Sequence, residues 1–386
     1  MNTHSKSGDH SYFPTAGTLN NQLADIHHRL LVTEPEIDRI SFALYDKEND
    51  LLKTYADSTF HGFELMHYEF PLAELPALKL CAQSGECRYV NDIPLELKPN
   101  YPHTKWLIDQ GFRSSLAIPV YHDSEFIGFI FLNSCQSHFF NEVKNFMLKP
   151  YIEILRFVVT SEYDLVHTLL ESANHVNANS PEHLQESREH RERISRYAKV
   201  IALEVAPTYD LDDEAIENIS QFSKCHDIGK LAVPTSVLTK PCELEADERE
   251  QLNGHVEKGV EIINHIINDM GAPNHPCVSV LKEIVAYHHE FLDGSGYPYG
   301  LTQDQIPVSA RIIAVANVFD ALTSHRPYKQ AWSVPFALLE LEKMVLAGKL
   351  DRHCVNALRY HQEFLKKVIE AYPEPDPSDR LTPPHH

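Results

Sequence analysis

Histidine and aspartate residues recur through the second half of the chain at spacings that suit a metal centre. Two adjacent pairs stand out, His226-Asp227 and His288-His289. Imidazole supplies neutral nitrogen ligands, and a carboxylate with both oxygens free can bridge two cations. One such residue alone is more often a capped or exposed side chain than a ligand. Their ordered combination on successive segments predicts a site that holds more than one metal ion.

Other segments supply further candidate ligands and a loop beside them. Glu186 and His190 are four residues apart in a segment with helical periodicity, so their side chains share one face. His255 follows in a separate helical segment. After His289, the glycines at 294 and 296 allow a sharp turn that Tyr297-Pro298 would stiffen. We expect Glu290 to orient His288 or His289.

Length and composition constrain the rest of the molecule. A chain of 386 residues favours two domains, and its 43% hydrophobic content suits globular cores. A formal charge of -21 opposes binding to bulk nucleic acid or anionic membranes, so an anionic substrate would need metal and local cations. No apolar run approaches the roughly 18 residues of a membrane span. The seven dispersed cysteines suit free thiols in a reducing cytoplasm, where we expect the protein to act.

The first half of the chain has a mixed α/β pattern. Strands are predicted over 39–45, 115–120 and 126–133, and helices over 23–32 and 140–159. The stretch 111–120 with its continuation 127–130 resembles GAF sensory domains. The resemblance implies a GAF-like α/β domain over 20–160 with a small-molecule ligand or a dimer interface. Scattered histidines in this half are predicted to be solvated: His27, His28, His61, His67, His103 and His138.

The second half has mainly helical periodicity. The predicted helices cover 186–205, 213–225, 247–270, 278–288, 307–323 and 334–346. A helical linker over 161–182 would join the two halves, and the amphipathic joining helix near 151–174 would mediate a homodimer. Residues 1–19 and 373–386 are predicted to be flexible tails.

Dense motifs in this half carry a specific resemblance. They are 226–230, 288–298, Ile306-Pro307, 319–324 and 326–329. In this order they resemble the HD-GYP family of bacterial cyclic dinucleotide phosphodiesterases, within the HD superfamily of metal hydrolases. The resemblance implies an all-α HD-GYP bundle over 183–372 with two or three iron or manganese ions. The implied ligands, with Asp227 bridging, are Glu186, His190, His226, Asp227, His255, His288, His289 and the residue at 317.

The resemblance also implies roles for other residues. Asp227 and Lys230 would be catalytic, with Lys230 approaching the phosphate or the leaving group. Substrate phosphates would be held by Arg326 and Lys329, as a bidentate fork and a point charge. Gly294, Gly296, Tyr297 and Pro298 would form a substrate-binding loop. The implied substrate is cyclic di-GMP, cut to pGpG or GMP, and no base-reading residue distinguishes it from cyclic GMP-AMP.

One position departs from the family pattern. The family carries a ligating aspartate where this chain has Asn317, whose amide offers an oxygen without charge and bridges poorly. Three hypotheses follow. The remaining ligands keep the enzyme active, the site is a weak enzyme or nucleotide receptor, or Asp320 reaches into the site. A general HD-type nucleotide phosphohydrolase is a further alternative, which the Gly-Tyr-Pro loop disfavours.

Overall fold

A computed structural model describes residues 17–178, 187–240, 242–271, 274–324 and 331–374. Glu186, Arg326 and Lys329 lie outside these ranges, so the predictions about them stay predictions. The chain divides into two compact units that meet in sequence at Glu162 and Tyr163, with Asn274–Pro276 grouped with the first.

The first unit is a six-stranded antiparallel sheet flanked by short helices. Its elements are α1 (Leu19–Leu30), β1 (Arg39–Asp46), β2 (Leu51–Thr59), β3 (Glu69–Pro71), α2 (Pro76–Ser84), β4 (Arg88–Val90), α3 (Ile93–Glu96), α4 (Pro102–Asp109), β5 (Ser114–His122) and β6 (Glu125–Ser134). The strand order is β3-β2-β1-β6-β5-β4. The structure contains the three predicted strands, whereas β2, β3 and β4 were missed. The register of β1 against β2 shifts between Phe42 and Ala43. Burial along β2 departs from strict alternation, so the sequence of that strand lacks the period-2 pattern used to predict strands.

The longest strands of this sheet, β5 and β6, form a hairpin. Residues at its turn, Asp123 and Ser124, have φ of 48° and 70°, the left-handed conformation that a tight two-residue hairpin requires. Both strands are largely buried. The turn fixes the register of this strand pair.

Two of the histidines predicted to be solvated are not on the surface. His27 is fully buried, and its Nδ1 and Nε2 lie 2.9 Å from Ser58 Oγ and 2.8 Å from the Ile37 carbonyl oxygen. Burial lowers the pKa of His27, so the ring is neutral at pH 7. His103 is half-buried against a cavity of the first unit. A polar sequence neighbourhood did not reveal that each ring has a partner within the fold.

The second unit is helical, and the long helix α5 (Glu142–Ala178) leads into it. The remaining helices are α6 (Arg188–Tyr209), α7 (Asp213–Phe222), α8 (Thr235–Leu238), α9 (Ala246–Asn253), α10 (His255–Met270), α11 (Pro276–Tyr287), α12 (Val308–Thr323), α13 (Val334–Leu346), α14 (Arg352–Tyr360) and α15 (Gln362–Ala371). The architecture confirms the predicted α/β region followed by an all-α region. α5 runs continuously through 160, where separate helices were predicted, and α1 includes Leu19 from the predicted tail. No helix among the described residues is long and apolar enough to cross a membrane.

Helix α6 forms the centre of the helical unit. It packs against α7, α12 and α14, and buried Tyr197 and Phe319 meet edge to face 5.1 Å apart between α6 and α12. The predicted helix 247–270 is interrupted at Gly254, so α10 begins with His255. His255 is thereby the first residue of a helix, and its ring contacts the Leu252 carbonyl oxygen in the turn that precedes α10.

A close backbone contact brings two ligand-bearing segments together. The 3-10 segment Ile228–Ala232 packs directly on α10. A Cβ atom added to Gly229 would lie 1.8 Å from the His255 carbonyl oxygen and 2.4 Å from the Gly259 nitrogen. Only glycine fits at this distance, because any side chain would force the backbones apart. The contact holds Asp227 beside His255.

Candidate metal centre

Six predicted ligands form two clusters that share one carboxylate. The clusters are Asp227, His255, His288 and His289, and His190, His226 and Asp227, each with its ligand atoms within 4.8 Å of one another. His190 comes from α6, His255 from α10, and the other four from the loops after α7 and α11. Asp227 belongs to both clusters, which is the arrangement that a bridging carboxylate needs.

The hydrogen bonds of the histidine rings determine which nitrogen faces the centre. The Nδ1 atoms of His226, His255 and His288 lie 2.8, 2.7 and 3.0 Å from the carbonyl oxygens of Ser223, Leu252 and Ile284, respectively. A carbonyl oxygen only accepts, so each Nδ1 carries a proton, and the neutral form of each ring has its lone pair on Nε2. The three Nε2 atoms thus point toward the same carboxylate.

The converging atoms fit a cation between them. His226 Nε2 lies 2.9 Å from Asp227 Oδ2, and the Nε2 atoms of His255 and His288 lie 3.0 and 3.5 Å from Asp227 Oδ1. Lone pairs facing a carboxylate repel one another unless a proton or a metal ion lies between them. Within the described ranges, His226 Nε2 and Asp227 Oδ1 are buried without a hydrogen bond of acceptable geometry. This donor set therefore fits divalent metal ions.

The electrostatics of the centre favour ligand protonation states that bind metal. Burial lowers the pKa of His288 to about 4, and burial also holds the pKa of His289 well below its usual value. Burial alone would raise the pKa of Asp227, but His226 and Lys230 outweigh it, and that pKa lies well below the usual range. At pH 7 the rings of His288 and His289 are neutral and the Asp227 carboxyl is charged, as metal binding requires.

Asp320 has a different place from the one that the third hypothesis gave it. Its Oδ2 lies 2.8 Å from His190 Nδ1, and Arg193 Nε donates to its Oδ1 at 2.7 Å. Burial raises the pKa of Asp320, but His190 and Arg193 bring it below the usual range. The carboxylate therefore orients the His190 ring through its outer nitrogen and neutralises buried Arg193. It is not a substitute ligand in place of the amide at 317.

We expect Asp320→Asn to lower the free energy of unfolding of the metal-free protein by about 3 kcal/mol at pH 7, because buried Arg193 loses its carboxylate partner. The folded pKa of Asp320 is depressed, so its stabilisation is complete above the unfolded pKa of about 3.9 and is lost as pH falls further. Urea unfolding of native and variant protein at pH 7 and near pH 3 measures the difference. It should shrink at the lower pH.

A matched control is Asp269→Asn, whose side chain is 72% exposed in the native protein. We expect it to change stability by less than about 0.5 kcal/mol. An effect of Asp320→Asn as small as that of the control would show that Asp320 does not balance the buried guanidinium.

Glu290 does not orient the histidines, so that expectation is wrong. Its two carboxylate oxygens accept the backbone N–H groups of Tyr299 and Leu301 at 2.7 and 2.9 Å. The carboxylate thus fixes the loop that follows the histidine pair. Adjacency in sequence suggested the wrong partner, because the loop folds back over the glutamate.

The glycine loop closes on His289. Tyr297 stacks on the His289 ring at 4.5 Å between centroids, and its N–H donates to the His289 carbonyl oxygen at 3.1 Å. A Cβ on Gly296 would lie 2.4 Å from the Phe291 nitrogen. Gly294 has φ of +77°, and the Tyr297-Pro298 peptide is cis. The loop therefore covers one ligand with an aromatic ring.

Lys230 and Asn317 flank the ligands differently. Lys230 Nζ lies 2.7 Å from Asp227 Oδ2, with 26% of its side chain exposed. It therefore touches the shared carboxylate and reaches solvent. Asn317 lies half-buried on α12, one helical turn before Asp320 and on the same side of the helix.

Arginine residues on α6 are part of the site's surroundings that sequence reasoning missed. Arg193 is 2% exposed and also donates to Glu374 Oε2 and the Tyr372 carbonyl oxygen, both at 2.7 Å. Its position three residues after His190 was the available signal. Arg191 lines a small cavity that adjoins His226 and Asp227. These cations lie beside the ligands, where an acidic chain needs them.

Comparison with known proteins finds a family match for the helical region. A family model described as HD domain matches residues 176–354. Both ligand clusters lie within the matched residues.

Curated relatives match the same region. The cyclic di-GMP phosphodiesterase response regulator RpfG of Xanthomonas campestris pv. campestris is 40% identical over 178 residues, 46% of this chain and 44% of RpfG. The 3'3'-cGAMP-specific phosphodiesterase 2 of Vibrio cholerae is 41% identical over 170 residues, 44% of this chain and 29% of the relative. The aligned region thus spans less than half the length of either relative.

Solved GAF domains match the first unit. The GAF domain of an Acinetobacter phosphoenolpyruvate-protein phosphotransferase covers 39% of this chain and 87% of its own chain, with 16% identity and a TM-score of 0.30.

Proposed function

We propose that this protein is a metal-dependent phosphodiesterase that hydrolyses cyclic di-GMP to pGpG or GMP in bacterial second-messenger signalling. The observation that carries the proposal is the pair of ligand clusters sharing buried Asp227. Such a pair suits two cations that together clamp one phosphodiester. Similarity to relatives named as cyclic di-GMP phosphodiesterases supports the substrate class.

The donor atoms suggest which residues hold each ion. His190, His226 and Asp227 would hold one divalent ion, and Asp227, His255, His288 and His289 the other. Bound ions of this kind neutralise phosphate charge and lower the pKa of water. Iron or manganese suits a mixed imidazole and carboxylate set. Glu186 and Asn317 are the proposed additional ligands, with Glu186 serving a third ion.

The chain's own residues prepare the site for an anionic substrate. The carbonyl oxygens of Ser223, Leu252 and Ile284 fix three rings, so the ligands do not reorganise during the reaction. Lys230 is placed to stabilise or protonate the leaving ribose oxygen, because its ammonium lies beside Asp227 and reaches solvent. Arg326 and Lys329 are the proposed phosphate anchors, with Gly294, Gly296, Tyr297 and Pro298 as the loop over the substrate.

Cyclic GMP-AMP is a second substrate to test. The described ligands and Lys230 would contact phosphate and metal, which both dinucleotides share. Similarity to a relative named as a 3'3'-cGAMP-specific phosphodiesterase supports its inclusion.

A catalytically weak or inactive cyclic dinucleotide receptor is the alternative. The neutral amide of Asn317 favours it, because loss of an anionic ligand weakens metal binding and polarises water less. The intact clusters favour retained activity.

We also propose that the protein is a cytoplasmic homodimer. Helix α5 exposes apolar side chains at positions 143, 147, 154 and 157, separated by four, seven and three residues, with Phe146 beside them. This is the a/d spacing of a two-stranded coiled coil.

Anaerobic purification with metal counting, followed by chromatography of incubated nucleotide, tests the proposed function. We expect two or more iron or manganese ions per chain and conversion of cyclic di-GMP to pGpG or GMP. Chelation should stop the reaction and re-addition of metal should restore it. Cyclic GMP-AMP incubated in parallel gives the preference.

The opposite result is equally clear. Metal occupancy of one or none, with nucleotide bound and uncut, would make the protein a receptor and exclude the enzyme. If the protein neither binds nor cleaves either dinucleotide, both forms of the proposal are overturned.

A further inference from the structure

The first unit contains a cavity between the β-sheet and the helices that cover it. Its internal space is about 110 Å³. The walls are mainly apolar and aromatic, with Phe42 and Phe131 from the sheet and Leu78 and Trp106 from α2 and α4. For comparison, an apolar cavity of about 150 Å³ holds one benzene molecule. The cavity is smaller than that, so it suits a ligand with no more than a single ring or a short chain.

Two polar side chains in these walls lack a hydrogen-bonding partner among the described residues. Ser41 is 3% exposed, and its hydroxyl makes no hydrogen bond within those ranges. The guanidinium of half-buried Arg88 likewise makes no hydrogen bond or ion pair there. Buried polar groups usually have partners. Both residues therefore favour a ligand that accepts hydrogen bonds.

The sheet register places these two groups in one row. Arg88 pairs with Ala117, Ala117 with Phe131, and Phe131 with Ser41, across β4, β5, β6 and β1. Paired residues project to the same face of a sheet, and all four line the cavity. The row has a cation and a hydroxyl at its ends and an apolar floor between them.

The other cations of the cavity are already neutralised. Arg39 Nε donates to Asp57 Oδ2 at 2.7 Å, and its Nη1 donates to Asn133 Oδ1 at 3.0 Å. Lys53 forms a 2.6 Å ion pair with Asp46. Among the described lining residues, Arg88 is thus the cation left for a ligand.

An acidic residue near Arg88 has its carboxylate engaged elsewhere. Glu96 Oε1 accepts the N–H groups of Asn91 and Asp92 at 2.8 and 3.0 Å. Burial lowers the pKa of Arg88, with Cys81 and Glu96 acting in the opposite direction. An arginine keeps its charge in such a setting, so the Arg88 guanidinium favours an anionic ligand.

A neutral histidine also lines the cavity. Burial and then Arg88 lower the pKa of His103 to about 4, and burial raises the pKa of Tyr68 to about 12. The Tyr68 hydroxyl lies 2.9 Å from His103 Nδ1. The neutral His103 ring therefore adds a polar but uncharged group to the cavity wall.

We propose that this cavity binds a small organic monoanion, an aromatic or short aliphatic carboxylate. Its carboxylate would engage Arg88, its apolar body would pack against Phe131 and Trp106, and its far end would lie toward Ser41. A single free guanidinium matches one carboxylate charge, and apolar walls exclude a strongly hydrated inorganic anion. This site goes beyond the proposed phosphodiesterase activity and does not depend on it.

Calorimetric titration of the full chain with three carboxylates tests the proposal. The probes are benzoate, 3-phenylpropionate and hexanoate, each compared with its neutral amide. We expect at least one carboxylate to bind the native chain at least about tenfold more tightly than its amide, because a hydrogen bond to a charged group contributes that much.

Two cavity variants and one control locate the binding. Arg88→Gln should weaken carboxylate binding about tenfold to hundredfold and remove the preference over the amide. Ser41→Ala, which only shortens a side chain, should weaken it by a smaller factor. The control Arg29→Gln makes the same change on an exposed arginine of α1 and should leave binding unchanged.

Urea unfolding establishes that each variant is folded. If Arg88→Gln does not fold, the amide comparison on the native chain and Ser41→Ala decide the outcome. The proposal is overturned if no carboxylate binds more tightly than its amide. It is also overturned if folded Arg88→Gln and Ser41→Ala bind carboxylate like the native chain.

Discussion

Asp227→Asn should lower phosphodiesterase turnover by at least about a thousandfold. Removing one preorganised stabilising group at an active site costs about a hundredfold to a thousandfold, and Asp227 belongs to both ligand clusters. The asparagine keeps the shape of the side chain, but it removes the charge that faces His226, His255 and Lys230. Initial rates with cyclic di-GMP at saturating manganese measure the effect.

The same variant has an effect that does not depend on turnover. Metal at one hundred times its dissociation constant should raise the free energy of unfolding of the native protein by about 2.7 kcal/mol. Asp227→Asn should lose most of this stabilisation. The control Asp269→Asn makes the same replacement at an exposed residue outside the site. It should preserve both the turnover and the stabilisation by metal.

These two readouts separate the metal centre from the proposed activity. If Asp227→Asn loses the stabilisation by metal and the native protein shows no turnover, the protein is a metal-binding receptor. Undiminished metal stabilisation in Asp227→Asn would contradict the assignment of Asp227 as the shared ligand.

The sequence predicted the order of the helices and the segments that carry the clustered histidines and aspartate, because both depend on local pattern. His226-Asp227 and His288-His289 lie in the centre, as expected for adjacent pairs between helices. The helix break at Gly254 was not expected, since glycine is tolerated within helical patterns. The consequence is large, because the break places His255 at the start of α10.

Contacts between distant segments were beyond prediction from one sequence. Asp320 and Arg193 form a buried pair across 127 positions, and Glu290 binds the backbone of residues 299 and 301. Both partners depend on how α12 packs on α6 and how the loop folds back. Local spacing carries no information about either, so the sequence assigned Glu290 to its neighbours.

Metal affinity should rise about tenfold to hundredfold in Asn317→Asp, comparable to the effect of a supporting ligand group. The residue lies one turn before Asp320 on α12, and Asp320 contacts the ligand His190. A carboxylate there adds a negative charge on the side of α12 that faces the second cluster. Turnover at limiting metal should rise by a similar factor, while the KM for nucleotide changes little. Metal titration and initial rates measure these two quantities.

The control Asn268→Asp adds the same charge at an exposed position of α10 and should change neither quantity. A gain confined to Asn317→Asp would show that the native amide limits metal binding and leaves an active but weakened enzyme. Equal metal affinity in the native protein and the variant would mean that the residue at 317 contributes no ligand here. The two clusters around Asp227 would then suffice, because their five histidines and one carboxylate already supply donors for two ions.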